Sequence, residues 1–322
     1  MEEREVVFGK HELKGTILLP RPELEEPHPA VLILVGSGPI NRDGNNVSHG
    51  FLNIYNQLAE ALAEKNYVTF RYDKRGVGKS KGEFHNIGLW DLVDDAKEAF
   101  RFLTKQPFVD KEKIFVIGHS EGSIIATEVA KDEDAAGLIL LGGAAETLYE
   151  AMTYQRKQVS EALQNMKGIK GLFIKLLRIR QRVERQEKMF DMRIERSDVD
   201  SFRMQGQFIN AKWFREHFAH DVKESLKDVT CPILAMTGEK DVQSNPEKVF
   251  EVNKYTSADV EAHIIPKMNH MLRDQEEDYS FLELKKAYKD IGEKALSEAL
   301  LQKLEEWLDR QTSALNNEKS ER

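Results

Sequence analysis

A serine bracketed by glycines, Gly118-His119-Ser120-Glu121-Gly122, stands directly after the apolar run Ile114-Phe115-Val116-Ile117 and directly before the helix-compatible Ser123-Ile124-Ile125-Ala126-Thr127-Glu128-Val129-Ala130. Strand, sharp turn and helix is the context that a G-x-S-x-G turn needs. The serine of such a turn is held in a strained backbone conformation, and a Cβ two residues before or after it collides with the neighbouring strand and helix. Gly118 and Gly122 meet that demand. The flanking pattern extends the unit: short apolar strands at about 30–35, 67–72, 113–118 and 136–141 alternate with amphipathic helices at about 51–65, 89–105 and 121–131. Such alternation predicts an α/β fold, a parallel sheet with helices on both faces.

A serine hydroxyl is a weak nucleophile at its own pKa, so Ser120 calls for a histidine base and an orienting carboxylate, in the chain order Ser, Asp or Glu, His. After the strand-like Pro232–Thr237 comes Gly238-Glu239-Lys240-Asp241, and after Ala262–Ile265 comes Pro266-Lys267-Met268-Asn269-His270-Met271. Both loops leave the carboxyl ends of strands, where open α/β sheets collect their chemistry. Of the nine histidines only His270 has this placement, and Asp241 is the matching carboxylate, with Glu239 and Glu146 as alternatives. His217 and His220, in a helical region, read as surface or internally satisfied residues, and His263 lies inside a strand pattern. The oxyanion hole needs backbone N–H groups. Glu121, the residue after the nucleophile, supplies one; Ser37, or secondarily Gly38, supplies the other from the Gly36-Ser37-Gly38-Pro39 loop that follows Ala30–Val35.

At these residues the chain resembles the α/β-hydrolase family, and within it the bacterial carboxylesterases with a G-S-G-P-x-x-R-D-G-N oxyanion loop. That loop reads Gly36-Ser37-Gly38-Pro39-Ile40-Asn41-Arg42-Asp43-Gly44-Asn45, and the resemblance extends through Arg71–Ser80, the G-H-S-E-G elbow and the late Asp and Asn-His. It covers about residues 1–145 and 225–310. It implies a mostly parallel eight-stranded sheet flanked by helices, and ester hydrolysis through an acyl-enzyme. One departure is Val35-Gly36, where many bacterial esterases carry His-Gly, so any role of that histidine is absent.

Two nucleotide-binding patterns fail. Gly78-Lys79-Ser80 would end a P-loop only with a glycine at position 73, which is Asp73; Gly36-x-Gly38 would open a dinucleotide fingerprint only with a glycine at Asn41 and without Pro39 in the turn. Asp73, Arg75, Arg42 and Asp43 then read as charges ordering loops near the site. With 47 Lys and Arg against 55 Asp and Glu, the net charge of −8 argues against a nucleic-acid partner. The single Cys231 excludes an internal disulfide and a Cys-rich metal site. Neither a metal nor an organic cofactor is expected. The acidic Met1–Glu5 is followed by no apolar core of a signal peptide, and no apolar run reaches the roughly 18 to 20 residues of a membrane span, so a cytoplasmic location is expected.

The strand–helix alternation breaks after Gly142-Gly143-Ala144-Ala145, and no strand candidate appears before about Asp228. The expected organisation is a core of residues 1–145 and 226–322, with 146–225 a helical cap inserted after the sixth strand. Phe202, Phe208, Trp213, Phe214 and Phe218, with Met152, Met189, Met192 and Met204, line an acyl pocket or form the cap's own core. Residues 151–188 carry ten Lys or Arg against three acids, and the basic amphipathic stretch 169–180 reads as a solvated lid helix, with contact to an acidic membrane surface as the alternative. A final helix is expected over Ala295–Leu308, and the polar Asn316–Arg322 reads as disordered. The expected function is hydrolysis of a small-molecule carboxylic ester by Ser120, His270 and Asp241. The rivals are a thioesterase, acyltransferase or small peptidase on the same triad, and a non-catalytic binding protein on the same fold.

Overall fold

The computed structural model describes the chain except residues 47–49, 170–173, 175 and 322. Eight strands form one sheet: β1 Glu2–Phe8, β2 Leu13–Leu19, β3 His28–Leu34, β4 Val68–Tyr72, β5 Val109–His119, β6 Gly137–Leu141, β7 Ile233–Gly238 and β8 Val260–Ile265. Their spatial order is β1-β2-β4-β3-β5-β6-β7-β8. β2 runs antiparallel to β1 and β4, and every other pairing is parallel. This is the α/β-hydrolase fold, a large, mostly parallel sheet flanked by helices.

The central strands are apolar without a break because both faces are covered. Successive side chains alternate sides. Leu32, Leu34, Val116 and Leu140 pack beneath α2 (Leu89–Leu103) and α3 (Glu121–Asp132), while Val31, Ile33, Phe115, Ile117 and Ile139 pack beneath α1 (Ile54–Glu64) and the last helix. Trp307 of that last helix is buried against Phe115, ring centroids 6.0 Å apart. The helix runs from Glu298 to Glu321, through the tail read as disordered. The apolar stripe continues to Leu315, which packs on the same core and carries the helix past the predicted end.

Between β6 and β7 the chain leaves the sheet for α4 (Leu148–Asn165), α5 (Ile179–Glu195), a hairpin, α6 (Ala211–Ala219) and α7 (Val222–Leu226). Thr147 and Glu150 start α4 as a reciprocal capping box. The hairpin pairs Ser201–Met204 with Gln207–Asn210 and corrects the expectation that this region lacks strands. Its two-residue turn has positive φ at Gln205 and Gly206, the geometry that suits hairpin twist. Arg193 lies over Phe202 and Arg203 over Phe208, so those rings pack on guanidinium planes at the hairpin. Of the basic stretch 169–180, residues 170–173 and 175 lie outside the described residues, while Ile169, Leu176 and Leu177 are exposed. Among the described residues no helix is long and apolar enough to cross a membrane.

Candidate active site

Ser120 adopts φ 56° and ψ −121°, a left-handed conformation that a non-glycine residue occupies only when its surroundings force it. The surroundings are tight: a Cβ on Gly118 would lie 2.1 Å from the Gly122 carbonyl oxygen, and one on Gly122 would lie 2.3 Å from that of Leu34. β5 and α3 can therefore approach only through glycine. The Ser120 N–H donates to Leu141 O at 2.8 Å, and Ser123 Oγ donates to Gly118 O at 2.9 Å, which locks the turn to the sheet.

Asp241 follows β7 and His270 follows β8. Asp241 Oδ2 lies 2.7 Å from His270 Nδ1, while Oδ1 accepts the N–H groups of Gln243 (2.8 Å) and Ser244 (2.9 Å). Both side chains are buried. Gly142, with φ +60°, permits their approach: a Cβ there would sit 3.3 Å from His270 Nδ1. Glu239, the nearby alternative, is exposed and accepts the Lys267 N–H instead. Glu146 is buried beside the site, near the Asn245 N–H at 3.4 Å. Burial first, and the charge of Asp241 in addition, push its carboxyl up to about 8.

Ser37, Ser120, Glu121 and His270 line one cleft of about 300 Å³, walled by Ile124, Leu148, Met152, Trp213 and Phe214 and bordered by Glu146 and His217. The structure thus brings all five sequence-predicted residues to one place. The N–H of Glu121 belongs to the first turn of α3, where backbone donors have no acceptor within the helix. Of the cap aromatics and methionines, Trp213, Phe214 and Met152 face this cleft, whereas Met189, Met192 and Phe208 are exposed.

Three features escaped the sequence reading. His119, the variable residue of the pentapeptide, is buried; Tyr55 Oη accepts the Gly36 N–H (2.7 Å) and donates to His119 Nδ1 (2.9 Å), and His119 Nε2–H donates to His270 O (2.8 Å). Burial, then His270, depresses its pKa to about 3, so the ring is neutral and can donate at one nitrogen while accepting at the other. Second, of the two readings of His217, surface or internally satisfied, the structure has the second, and the carboxylate partners are what the reading lacked: buried His217 has Nδ1 2.8 Å from Trp213 O and Nε2 3.2 Å from Glu121 Oε1, and His220 Nε2 lies 3.2 Å from Glu128 Oε1. Third, Arg273 is fully buried and spends its guanidinium on backbone carbonyls of Leu52, Met271 and Lys294, pinning the loop that carries His270. For His119 and Arg273 the signal is closeness in sequence to a motif; for His217 there is none, and in all three a partner that gives the residue its meaning is distant in the chain.

Asp73 accepts the N–H groups of Arg42 and Lys79, each at 2.8 Å, and Arg71 bonds Asp43 while Arg75 bonds Asp95. These charges order loops, and none of them lines the cleft among the described residues. Cys231 packs on the core, and burial raises its thiol to about 11. Among the described residues no cluster of His, Cys, Asp and Glu suits a metal ion.

The family model Hydrolase_4, described as serine aminopeptidase, S33, matches residues 47–278. Esterase EstD of Thermotoga maritima is 25% identical over 273 residues, which cover 84% of this chain and 60% of EstD. An uncharacterised Pseudomonas aeruginosa protein, PA2218, is 23% identical over 51% of this chain and 41% of its own length. The chain thus spans about half the length of these curated relatives. Among solved structures, Est1E of Butyrivibrio proteoclasticus superposes with a TM-score of 0.59 at 16% identity, covering 97% of this chain and all of that one. A proline iminopeptidase of Mycobacterium smegmatis gives 0.58 at 16%, covering 98% and 100%.

Proposed function

This chain belongs to the Hydrolase_4 family of serine aminopeptidase, S33, type, and from that premise we propose that it hydrolyses carboxylic esters through an acyl-enzyme on Ser120. One observation carries the reading: an imidazole held at 2.7 Å by a buried carboxylate, in the same cleft as a serine on a left-handed turn. With Asp241 accepting from Nδ1–H, His270 presents an unprotonated Nε2 to the cleft, the tautomer a general base needs. Ser120 Oγ attacks the ester carbonyl as Nε2 takes its proton; the N–H groups of Ser37 and Glu121 receive the oxyanion; the imidazolium then protonates the leaving alcohol. Water repeats the sequence on the acyl-enzyme. Asp241 keeps the ring oriented and stabilises its charged form.

The wall of Ile124, Leu148, Met152, Trp213 and Phe214 suits an uncharged, apolar acyl or alcohol group. EstD supports the ester reading by its name, while the family description favours an aminopeptidase as the second reading. A p-nitrophenyl ester series from acetate to palmitate, run beside aminoacyl p-nitroanilides, separates the two. Ester turnover abolished by Ser120→Ala, with a fluorophosphonate label on Ser120, is the expected result. The loss should be on the order of a million-fold, as for removal of a triad serine elsewhere. Turnover of the anilides alone moves the reading to a peptidase, and no turnover with no label on Ser120 refutes both.

A further inference from the structure

Lys74 lies at the carboxyl end of β4 and is buried, its side chain 3% exposed. An ammonium taken out of water costs several kcal/mol unless partners replace its hydration. Among the described residues its Nζ has three: it donates to the carbonyl oxygen of Gly36 at 2.7 Å, lies 3.5 Å from Glu121 Oε2 and sits over the Phe84 ring, 5.7 Å from its centroid. Burial pulls the Lys74 pKa below its ordinary value, with Glu121 opposing. For Glu121 burial acts upward, but Lys74 first, then His217 and Trp213, outweigh it and hold the carboxyl near 2. The pair is ionic.

The carbonyl of Gly36 and the N–H of Ser37 are two ends of one planar peptide group. Lys74 grips one end, and the other belongs to the residue that lines the cleft beside Ser120. The planar group transmits orientation: fixing the C=O fixes the direction of the N–H. It also transmits polarity, because a charge-assisted bond to the carbonyl draws density from the amide and makes its N–H a stronger donor. The counter-charge sits on Glu121, whose own N–H is the second donor of the proposed oxyanion hole. Glu121 Oε1 is met by Trp213 Nε1 and by His217 Nε2, both on α6. Cap and core thus meet on the one carboxylate that balances Lys74.

Resting on the serine-hydrolase reading above, we propose that Lys74 is a positioning residue for the oxyanion hole, aligning and polarising the Gly36–Ser37 peptide, with Glu121 as the counter-ion that keeps it charged. A purely structural ion pair would serve stability alone. A positioning role has a sharper signature, because it acts when the oxyanion forms and not when the substrate binds.

The test is the series Lys74→Arg, Lys74→Gln and Lys74→Met, with folding checked by circular dichroism and active sites counted by fluorophosphonate titration. For each variant kcat and KM are measured on one p-nitrophenyl ester, together with the inhibition constant of an alkyl trifluoromethyl ketone. Ser120 Oγ adds to that ketone's carbonyl carbon, the proton passing to His270, and leaves an oxyanion in the hole. Lys74→Met should lower kcat and ketone affinity together by roughly ten- to a hundred-fold, below the hundred- to thousand-fold of deleting a donor outright. KM should stay within about threefold, and Lys74→Arg should recover most of both losses. A folded Lys74→Met or Lys74→Gln with wild-type kcat, or a kcat loss with undiminished ketone affinity, overturns the proposal while the hydrolase reading stands. If Lys74→Met does not fold, the Arg and Gln variants decide: equal activity in the two, charged and neutral donor alike, overturns it. A wild type without turnover or label removes the hydrolase reading and this role with it.

Discussion

Asp241→Asn changes one oxygen to an NH₂ with almost no change of shape, and the geometry dictates which way the amide turns. Oδ1 accepts two backbone N–H groups, from Gln243 at 2.8 Å and Ser244 at 2.9 Å. The amide oxygen must stay there, because turning the NH₂ onto two donors would leave both buried N–H groups without acceptors, at about 1–3 kcal/mol each. The NH₂ therefore faces His270 Nδ1, 2.7 Å away in the wild type, and that nitrogen can only accept. The imidazole proton moves to Nε2, where it blocks removal of the Ser120 proton. Serine proteases lose about ten-thousand-fold in kcat on this change, about 5.5 kcal/mol of barrier at 1.36 kcal/mol per tenfold. Because the backbone acceptor survives, stability should shift by about 1 kcal/mol or less. The assay is kcat on p-nitrophenyl butyrate, with urea unfolding of the same preparation as the control. A folded variant within tenfold of wild type refutes the tautomer argument and moves the orienting role to Glu146.

Other substitutions probe the same framework. Glu146, its carboxyl pushed up to about 8 by burial and then Asp241, keeps its proton when folded in a range where the unfolded chain, with an ordinary value of 4.5, has lost it. The wild type should therefore lose stability as pH rises from about 4.5 to 8, and Glu146→Gln should flatten that slope; equal slopes in urea unfolding between pH 5 and 8 count against this. Gly122→Ala, with its Cβ 2.3 Å from Leu34 O, should cost roughly 1–3 kcal/mol or more and lower the melting temperature by several degrees, so an unchanged melt would show that α3 can shift. Tyr55→Phe strips partners from the Gly36 N–H and His119 Nδ1, at about 1–3 kcal/mol. In a double-mutant cycle with His119→Leu the losses should be non-additive by about 0.5 kcal/mol or more, and simple additivity would break the proposed chain from Gly36 to His270.

The strand–turn–helix around Ser120 was legible in the sequence because every residue that shapes it lies within a few positions, and each strand of the central sheet announced itself as an apolar run. The order of Asp241 and His270 was legible because chemistry in this sheet type collects at strand ends. Lys74, Tyr55 and Arg273 were not, since Lys74 and Arg273 take their meaning from carbonyls, and Tyr55 from an N–H and an imidazole, tens to hundreds of residues away. Whether His217 was surface or internally satisfied stayed open because helical periodicity gives a face and not what covers it; α3 supplies the cover. The hairpin at 201–210 was missed for a different reason. Phe202, Phe208, Trp213, Phe214 and Phe218 fall near helical spacing, and of the two tetrapeptides flanking the Gln205-Gly206 turn only Ser201–Met204 alternates, so the strand signal is weak.

The buried charges follow one logic. Lys74, Glu121, Arg42, Asp73 and Arg71 are all at most 6% exposed and gather where β3, β4 and β5 end, while the helices over the rest of the sheet cover it mainly with aliphatic and aromatic side chains, Asp95 on α2 and Glu128 on α3 being buried as well. Buried ion pairs are poor stabilisers, and well-packed apolar residues in their place are often neutral or better. Loop anchoring alone therefore does not call for an ammonium under the Gly36 carbonyl, since an apolar plug or a neutral donor would hold the loop at a lower desolvation cost. What neither could supply is a positive charge at one end of a peptide whose other end borders the nucleophile. Departures from economical packing concentrate where function requires them. The strained φ of Ser120, the ion pair of Lys74 with Glu121 and the neutral histidine 119 all lie within one shell around the same cleft.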